Sequence, residues 1–142
     1  MEVEKGIEKI LNEASRDIKN DVIDPQQMRN IGMILLSIGL LKDENHYFVL
    51  SNALYTLADA MSSFLRVSSM PLSLEYRGRT EKIVEEVKNM ISQALSEMSE
   101  SIKLHDSCKA MSSASILLKL SYTLNNMAEN LKNIVIVGPA EE

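Results

Sequence analysis

From Ile31 to Leu41 the chain carries no charged residue, and the longer stretch Met28–Leu41 (MRNIGMILLSIGLL) is apolar almost all the way round a helix. A helix with apolar residues on every side must be buried on most of them. The rest of the chain is therefore expected to be arranged around this stretch. The run is too short to span a bilayer, which takes ~20 apolar residues. Gly32 and Gly39 lie seven residues apart and share one face. Glycine weakens a helix interior by about 1 kcal/mol relative to alanine, so two on one face predict close backbone packing against a neighbour.

The flanking sequence reads as four more helices. Val3, Ile7, Ile10, Leu11, Ala14 and Ile18 recur at spacings of three and four, a narrow stripe that predicts an outer helix over Glu2–Asn20. Asp24-Pro25 is a start signal for the apolar helix, with a capping carboxylate followed by a proline at the first helical position. After the polar turn at Lys42–Asn45, a third helix runs from about His46 to Val67, its core face formed by Leu50, Ala53, Leu54, Leu57, Ala58, Met61, Phe64 and Leu65. Pro71 and Gly78 mark Ser68–Arg79 as a long irregular connection, tacked down by Met70, Leu72 and Leu74. The fourth helix is expected from Thr80 to Leu104, with Ile83, Val84, Val87, Met90, Ile91, Ala94, Leu95, Met98 and Ile102 inward. Asp106 or Ser107 caps the fifth, which ends near Val137 before Gly138-Pro139. Its core face is Met111, Ala114, Leu117, Leu118, Ser121, Leu124, Ala128 and Leu131, with Asn125 at the edge; Ile134–Val137 is β-branched and reads equally as extended chain. The pattern predicts an all-α fold: one domain over 1–142, an antiparallel four-helix bundle with an additional N-terminal helix.

Composition narrows the function classes. A net charge of −5 argues against nucleic acid as a partner, because phosphate binding needs a concentrated basic face. The N-terminal MEVEKGIEKI is charged and amphipathic, unlike a signal peptide. The lone Cys108 has no partner within the chain and fits a reducing compartment, so a cytoplasmic protein is expected, with no membrane association. A di-iron bundle needs carboxylates and two Glu-x-x-His motifs on facing helices. Here Asp43 precedes His46 by three residues in a turn, Ile102 stands in that place before His105, and no core stripe carries a glutamate, so no metal site is expected. Glu81, Glu85, Glu86, Glu97 and Glu100 are similar to the Glu-x-x-Glu patterns of helical Mg²⁺-dependent nucleotide pyrophosphohydrolases. They spread over the whole polar arc of the fourth helix, though, and read as a solvated face. Cys108, near a helix start with Lys109 and His105, reads as a semi-buried inert thiol, and no serine sits in a nucleophile elbow. No catalytic residue and no cofactor is assigned. The one basic spot is Arg77 and Arg79 beside Tyr76, two guanidinium groups and a ring ahead of a helix, able to hold an anion or a nucleotide.

The apolar surface exceeds what one small bundle core uses. Phe48 and Tyr55 lie seven apart on the otherwise polar face of the third helix and need another surface to cover them. The fifth helix carries a second stripe, Ile116, Leu120, Met127 and Ile134. With Met33 and Leu40 of the second helix, these predict a subunit contact. A homodimer is expected, two-fold pairing being the commonest closed assembly. Met28–Leu41 is then either the sealed centre of five helices or half of that contact.

The runs Asn52–Asp59 (NALYTLAD) and Leu120–Asn126 (LSYTLNN) are the residues that carry a family resemblance. The layout is similar to small uncharacterised archaeal bundle proteins, and these runs resemble the long helices of cobalamin adenosyltransferases, a ferritin-like bundle group. The chain lacks that family's N-terminal Thr/Gly phosphate loop and its arginine-rich helical motif, so the resemblance implies the bundle architecture alone. The leading expectation is a non-enzymatic bundle acting through self-association or protein–protein interaction. The alternative is a small-molecule or nucleotide-binding bundle, a degenerate transferase-like protein with its site at Tyr76, Arg77 and Arg79, and with Asp59 and Arg66 as further candidates from the third helix.

Overall fold

Each helix boundary has a local chemical cause. Asp24 accepts a 3.0 Å hydrogen bond from the Gln26 amide and so caps α2 (Pro25–Lys42), which opens on its proline. Asp43 closes that helix in the left-handed region, at φ 53°. Asp106, rather than Ser107, caps α5 (Ser107–Lys132) by accepting a 3.0 Å bond from the Lys109 amide. Just before it, the Asp106 amide donates to the Ser101 carbonyl at 2.9 Å and the His105 amide to the Ile102 carbonyl at 3.3 Å. With His105 at φ 52°, these two bonds make the Schellman closure of α4 (Leu74–Leu104). The remaining helices are α1 (Glu2–Lys19) and α3 (Asn45–Ser68).

The computed structural model describes residues 2–20, 24–68 and 74–133. Among the described residues the fold is all-helical, five helices and no strand, packed as a helical bundle. The expected anchors Met70 and Leu72 and the segment 134–137 lie outside the described residues. The connection before α4 is shorter than Ser68–Arg79, because α4 starts at Leu74 and takes Gly78 into its first turns.

The helices follow one another around the core in the spatial order α1, α4, α5, α3, α2, with α2 returning to touch α1. α3 packs along α2 and α5 and also meets α4. It buries Tyr47, Leu50, Leu54, Leu57, Met61 and Phe64 among others, and it, not α2, is the helix around which the chain is arranged. α2 buries a single face: Met28, Ile31, Gly32, Leu35, Ile38 and Gly39. The expected close packing at its glycines is present. A Cβ on Gly32 would lie 3.3 Å from the Tyr55 ring, and one on Gly39 would lie 3.1 Å from Tyr47 Cβ and 3.2 Å from the Phe48 ring.

α1 and α4 meet through small polar residues. Ser15 Oγ donates to the Ser92 carbonyl at 2.7 Å, Ser92 Oγ donates to the Ser15 carbonyl at 2.9 Å, and Ser99 Oγ donates to the Glu8 carbonyl at 3.2 Å. Rising numbers on one helix meet falling numbers on the other, so this pair is antiparallel. Hydroxyls that bond backbone carbonyls satisfy their own polarity and let two helices approach closely.

Several core assignments shift by one position. On α5, Met111 and Leu118 face outward while Ala110, Ser113 and Leu120 are buried. On α4, Ile83 and Met90 are exposed while Lys88, Ser92, Ser99 and Ser101 are buried; on α1, Val3 is exposed and Glu4 buried. Asn125 is exposed, and the neighbouring buried Ser121 donates to the Leu117 carbonyl at 2.7 Å. Counting apolar bulk along a wheel favours the large residue of each adjacent pair. Close helix contact instead favours the small one at Ala110, Ser113, Ser92 and Ser99, while Glu4 and Lys88 turn inward with ion-pair partners, Lys42 and Glu85.

Candidate functional site

The outer face of α2 is the most distinctive surface. Opposite the buried face stand Met33, Leu36 and Leu40, flanked by Ile34 and Leu41. Met33 is 58% exposed, Leu40 69% and Leu41 85%. Ser37, among them, donates its hydroxyl to the Met33 carbonyl at 3.0 Å, so it shows no unsatisfied donor to the outside. The stretch expected to be enclosed on most sides is thus half core and half surface. A contiguous exposed apolar patch bounded by polar groups marks an interaction surface in a folded protein.

Charges bound the patch at both ends. Towards the start of α2, Arg29 Nη2 lies 3.0 Å from Asp59 Oδ1 and 3.2 Å from Ser62 Oγ on α3. At the far end, Lys42 donates to the buried Glu4 of α1, and Glu44 lies 3.3 Å from His46 Nε2. His105 Nε2 stands 3.6 Å from the other oxygen of Glu4, so one carboxylate ties together α1, α2 and the α4–α5 turn. Beneath this end is Tyr47, buried, its phenol pushed above the ordinary tyrosine value first by loss of solvation and then by the negative charge of Glu44.

The other interface candidates are placed differently. Phe48 and Tyr55 do have a cover, and it is α2 of the same chain, whose glycines sit against both rings. Ile116 and Met127 are partly buried against the core and Leu120 lies within it. The apolar surface that α5 does present consists of Met111, Leu118 and Tyr122, the last 71% exposed. The sequence signal for it was available: these three recur at spacings of seven and four, offset from the heptad stripe Ala110, Ala114, Leu117, Ser121, Leu124, Ala128, Leu131.

Tyr76, Arg77 and Arg79 fall in the first turns of α4 rather than in a loop. Arg79 is exposed, and the side chains of Tyr76 and Arg77 lie outside the described residues. Asp59 is engaged with Arg29, and Arg66 is exposed. Two cavities that share Ser15, Arg16 and Ser96 form one open polar groove between α1 and α4, lined also by Lys9, Lys19, Gln93 and Glu97, of about 650 and 600 Å³. A small apolar cavity between α3, α4 and α5, about 20 Å³ in volume, is lined by Met61, Phe64, Val87, Leu124 and the buried Lys88. It has room for one water.

Cys108 is exposed, not semi-buried. Among the described residues no group of three His, Cys, Asp or Glu is placed to hold a metal, and no helix is long and apolar enough to cross a membrane. Glu81, Glu85, Glu86 and Glu100 are exposed, and Glu100 pairs with Lys109 at 3.0 Å. Comparison with protein-family models, curated proteins and solved structures finds no match to this chain. No resemblance to a known family is thus shown for the runs Asn52–Asp59 and Leu120–Asn126.

Proposed function

We propose that this is a non-enzymatic helical-bundle protein that acts by self-association, pairing as a homodimer through the outer face of α2. One observation carries the reading: a helix whose inner face is sunk in the core presents Met33, Leu40 and Leu41 to solvent, each more than half exposed. Fully burying one such side chain is worth roughly 1.5–3 kcal/mol, so covering several of them drives association. Met33 and Leu40 are the centre of the contact. Phe48 and Tyr55 back α2 from within the subunit, their rings against Gly39 and Gly32. The exposed thiol of Cys108 suits a reducing cytoplasm.

The same reading takes the fold as an antiparallel arrangement of α2–α5 that the additional N-terminal helix α1 closes by packing between α4 and α2. Two antiparallel helix pairs support it: the Ser15–Ser92 and Glu8–Ser99 bonds run in opposite senses along α1 and α4, and the Gly32–Tyr55 and Gly39–Tyr47 contacts do so along α2 and α3.

Sedimentation equilibrium tests the proposal. The wild-type chain is expected at twice its 15.9 kDa mass at micromolar concentration, and Met33→Lys with Leu40→Lys at the monomer mass with unchanged helicity. A wild-type monomer throughout that range would remove the reading. A thermal-shift titration with nucleotides and corrinoids tests the alternative. A rise in melting temperature that disappears in Arg77→Ala with Arg79→Ala would favour a ligand site at Tyr76, Arg77 and Arg79 instead.

A further inference from the structure

Resting on that reading, we infer how the two copies meet: their α2 helices pair antiparallel about a two-fold axis that passes between Leu36 and Ser37. The occupant of the apolar face is thus the same face of a second copy. About that midpoint four exposed residues map onto one another, Met33 with Leu40 and Leu36 with Ser37, while Ile34 and Leu41 stand beside the contact. Met33 comes opposite the partner's Leu40, and Leu36 comes opposite the partner's Ser37, large beside small. Such a self-complementary patch is what an isologous contact requires. Ser37 fits the centre twice over. It is small, so the axes approach closely, and its hydroxyl already donates to Met33, so it enters a dry contact without losing a hydrogen bond.

The charges at the ends of the patch choose the direction. A parallel pairing in register would set Arg29 beside Arg29, and the Asp43–Glu44 pair beside its own copy. The antiparallel pairing brings Arg29 of each copy to the end of the partner's α2, where Asp43 and Glu44 follow. Arg29 uses one nitrogen for both Asp59 and Ser62, and a guanidinium offers five donors, so a further carboxylate can be met from the same side chain. The result is an apolar centre with charges at the rim, the usual anatomy of a protein interface. A one-way pairing of α2 with the Met111, Leu118 and Tyr122 stripe of another copy would be heterologous and would give a ring or an open chain, not a two-fold pair. One helix pair covers less than the ~800 Å² per partner of a standard interface, so dissociation on dilution below micromolar concentration is expected.

Single-cysteine chains in a Cys108→Ser background test the geometry. Met33→Cys and Leu40→Cys chains, oxidised together, are expected to form the mixed disulfide, and neither to form one alone. In this register each residue stands seven positions from its own copy, ~10 Å along the axis, beyond the ~7 Å that a disulfide spans. Ser37→Cys is expected to link to itself. Glu44→Arg is expected to weaken the dimer about fivefold, the size of a rim ion pair. A self-linking Met33→Cys would overturn the antiparallel register and leave self-association through α2 standing. A wild-type chain that sediments as a monomer would overturn both.

Discussion

Glu4 shows how one side chain can hold several elements. Its carboxylate is buried, takes Lys42 from the end of α2, and has His105 of the α4–α5 turn at 3.6 Å. Removing one partner of a buried pair strands the other charge, which weighs more than the pair contributes. Lys42→Met is expected to lower unfolding free energy by about 2–3 kcal/mol. Glu4→Leu with Lys42→Met should recover most of it, as read by urea denaturation of the single and double variants. Tyr47 gives a pH signature at the same end of α2. Its folded-state pKa is raised by burial and by Glu44, so the folded protein holds the proton after the unfolded chain has begun to release it. That stabilisation is complete below the ordinary tyrosine value of ~10 and is lost as pH rises from there through the raised value. Between pH 8 and 11 the wild type should lose more stability than Tyr47→Phe, and equal slopes would refute the assignment.

At the scale of elements, caps were readable and packing partners were not. Asp24-Pro25 and Asp106 act where a short polar side chain before an apolar run predicts them, because capping depends only on the next two or three residues. The end of α3 and start of α4 were harder: Gly78 reads as a helix breaker, yet its penalty is spread over a helix 31 residues long. The glycines of α2 separate propensity from packing. A Cβ on Gly6 of α1 would meet nothing within 4 Å, whereas one on Gly39 would press on Tyr47 Cβ, which is fixed to a buried backbone. Gly6→Ala is expected to raise stability by about 0.5–1 kcal/mol. Gly39→Ala is expected to lower it despite the same gain in helix propensity. Thermal unfolding of the two variants checks the opposite signs.

For the whole molecule the consequential fact is the spatial order α1, α4, α5, α3, α2. It places α3 against three other helices and leaves α2 with one buried side. Local opening follows the loss of buried apolar contact. Amide exchange is therefore expected to be slowest along α3, around Leu50–Met61, and faster in α2 although α2 is the more continuously apolar stretch of sequence. Protection in α2 should rise with protein concentration if its outer face is covered by a second copy. Slower exchange in α2 than in α3 under monomeric conditions would contradict the packing order.

The sequence by itself determined the helices, their number and most of their ends, since periodicity, caps and breakers are local. It also identified Met33 and Leu40 as surface in excess of the core. Only the tertiary structure decided which face of each stripe turns inward. Phe48 and Tyr55 looked uncovered because the glycines that cover them lie on a different helix. Leu120 looked like surface because the small residues beside it, Ala110, Ser113 and Ser121, carry little hydrophobic weight in a sequence pattern. Close packing selects for shape and distance between helices, and neither quantity exists until the chain has folded.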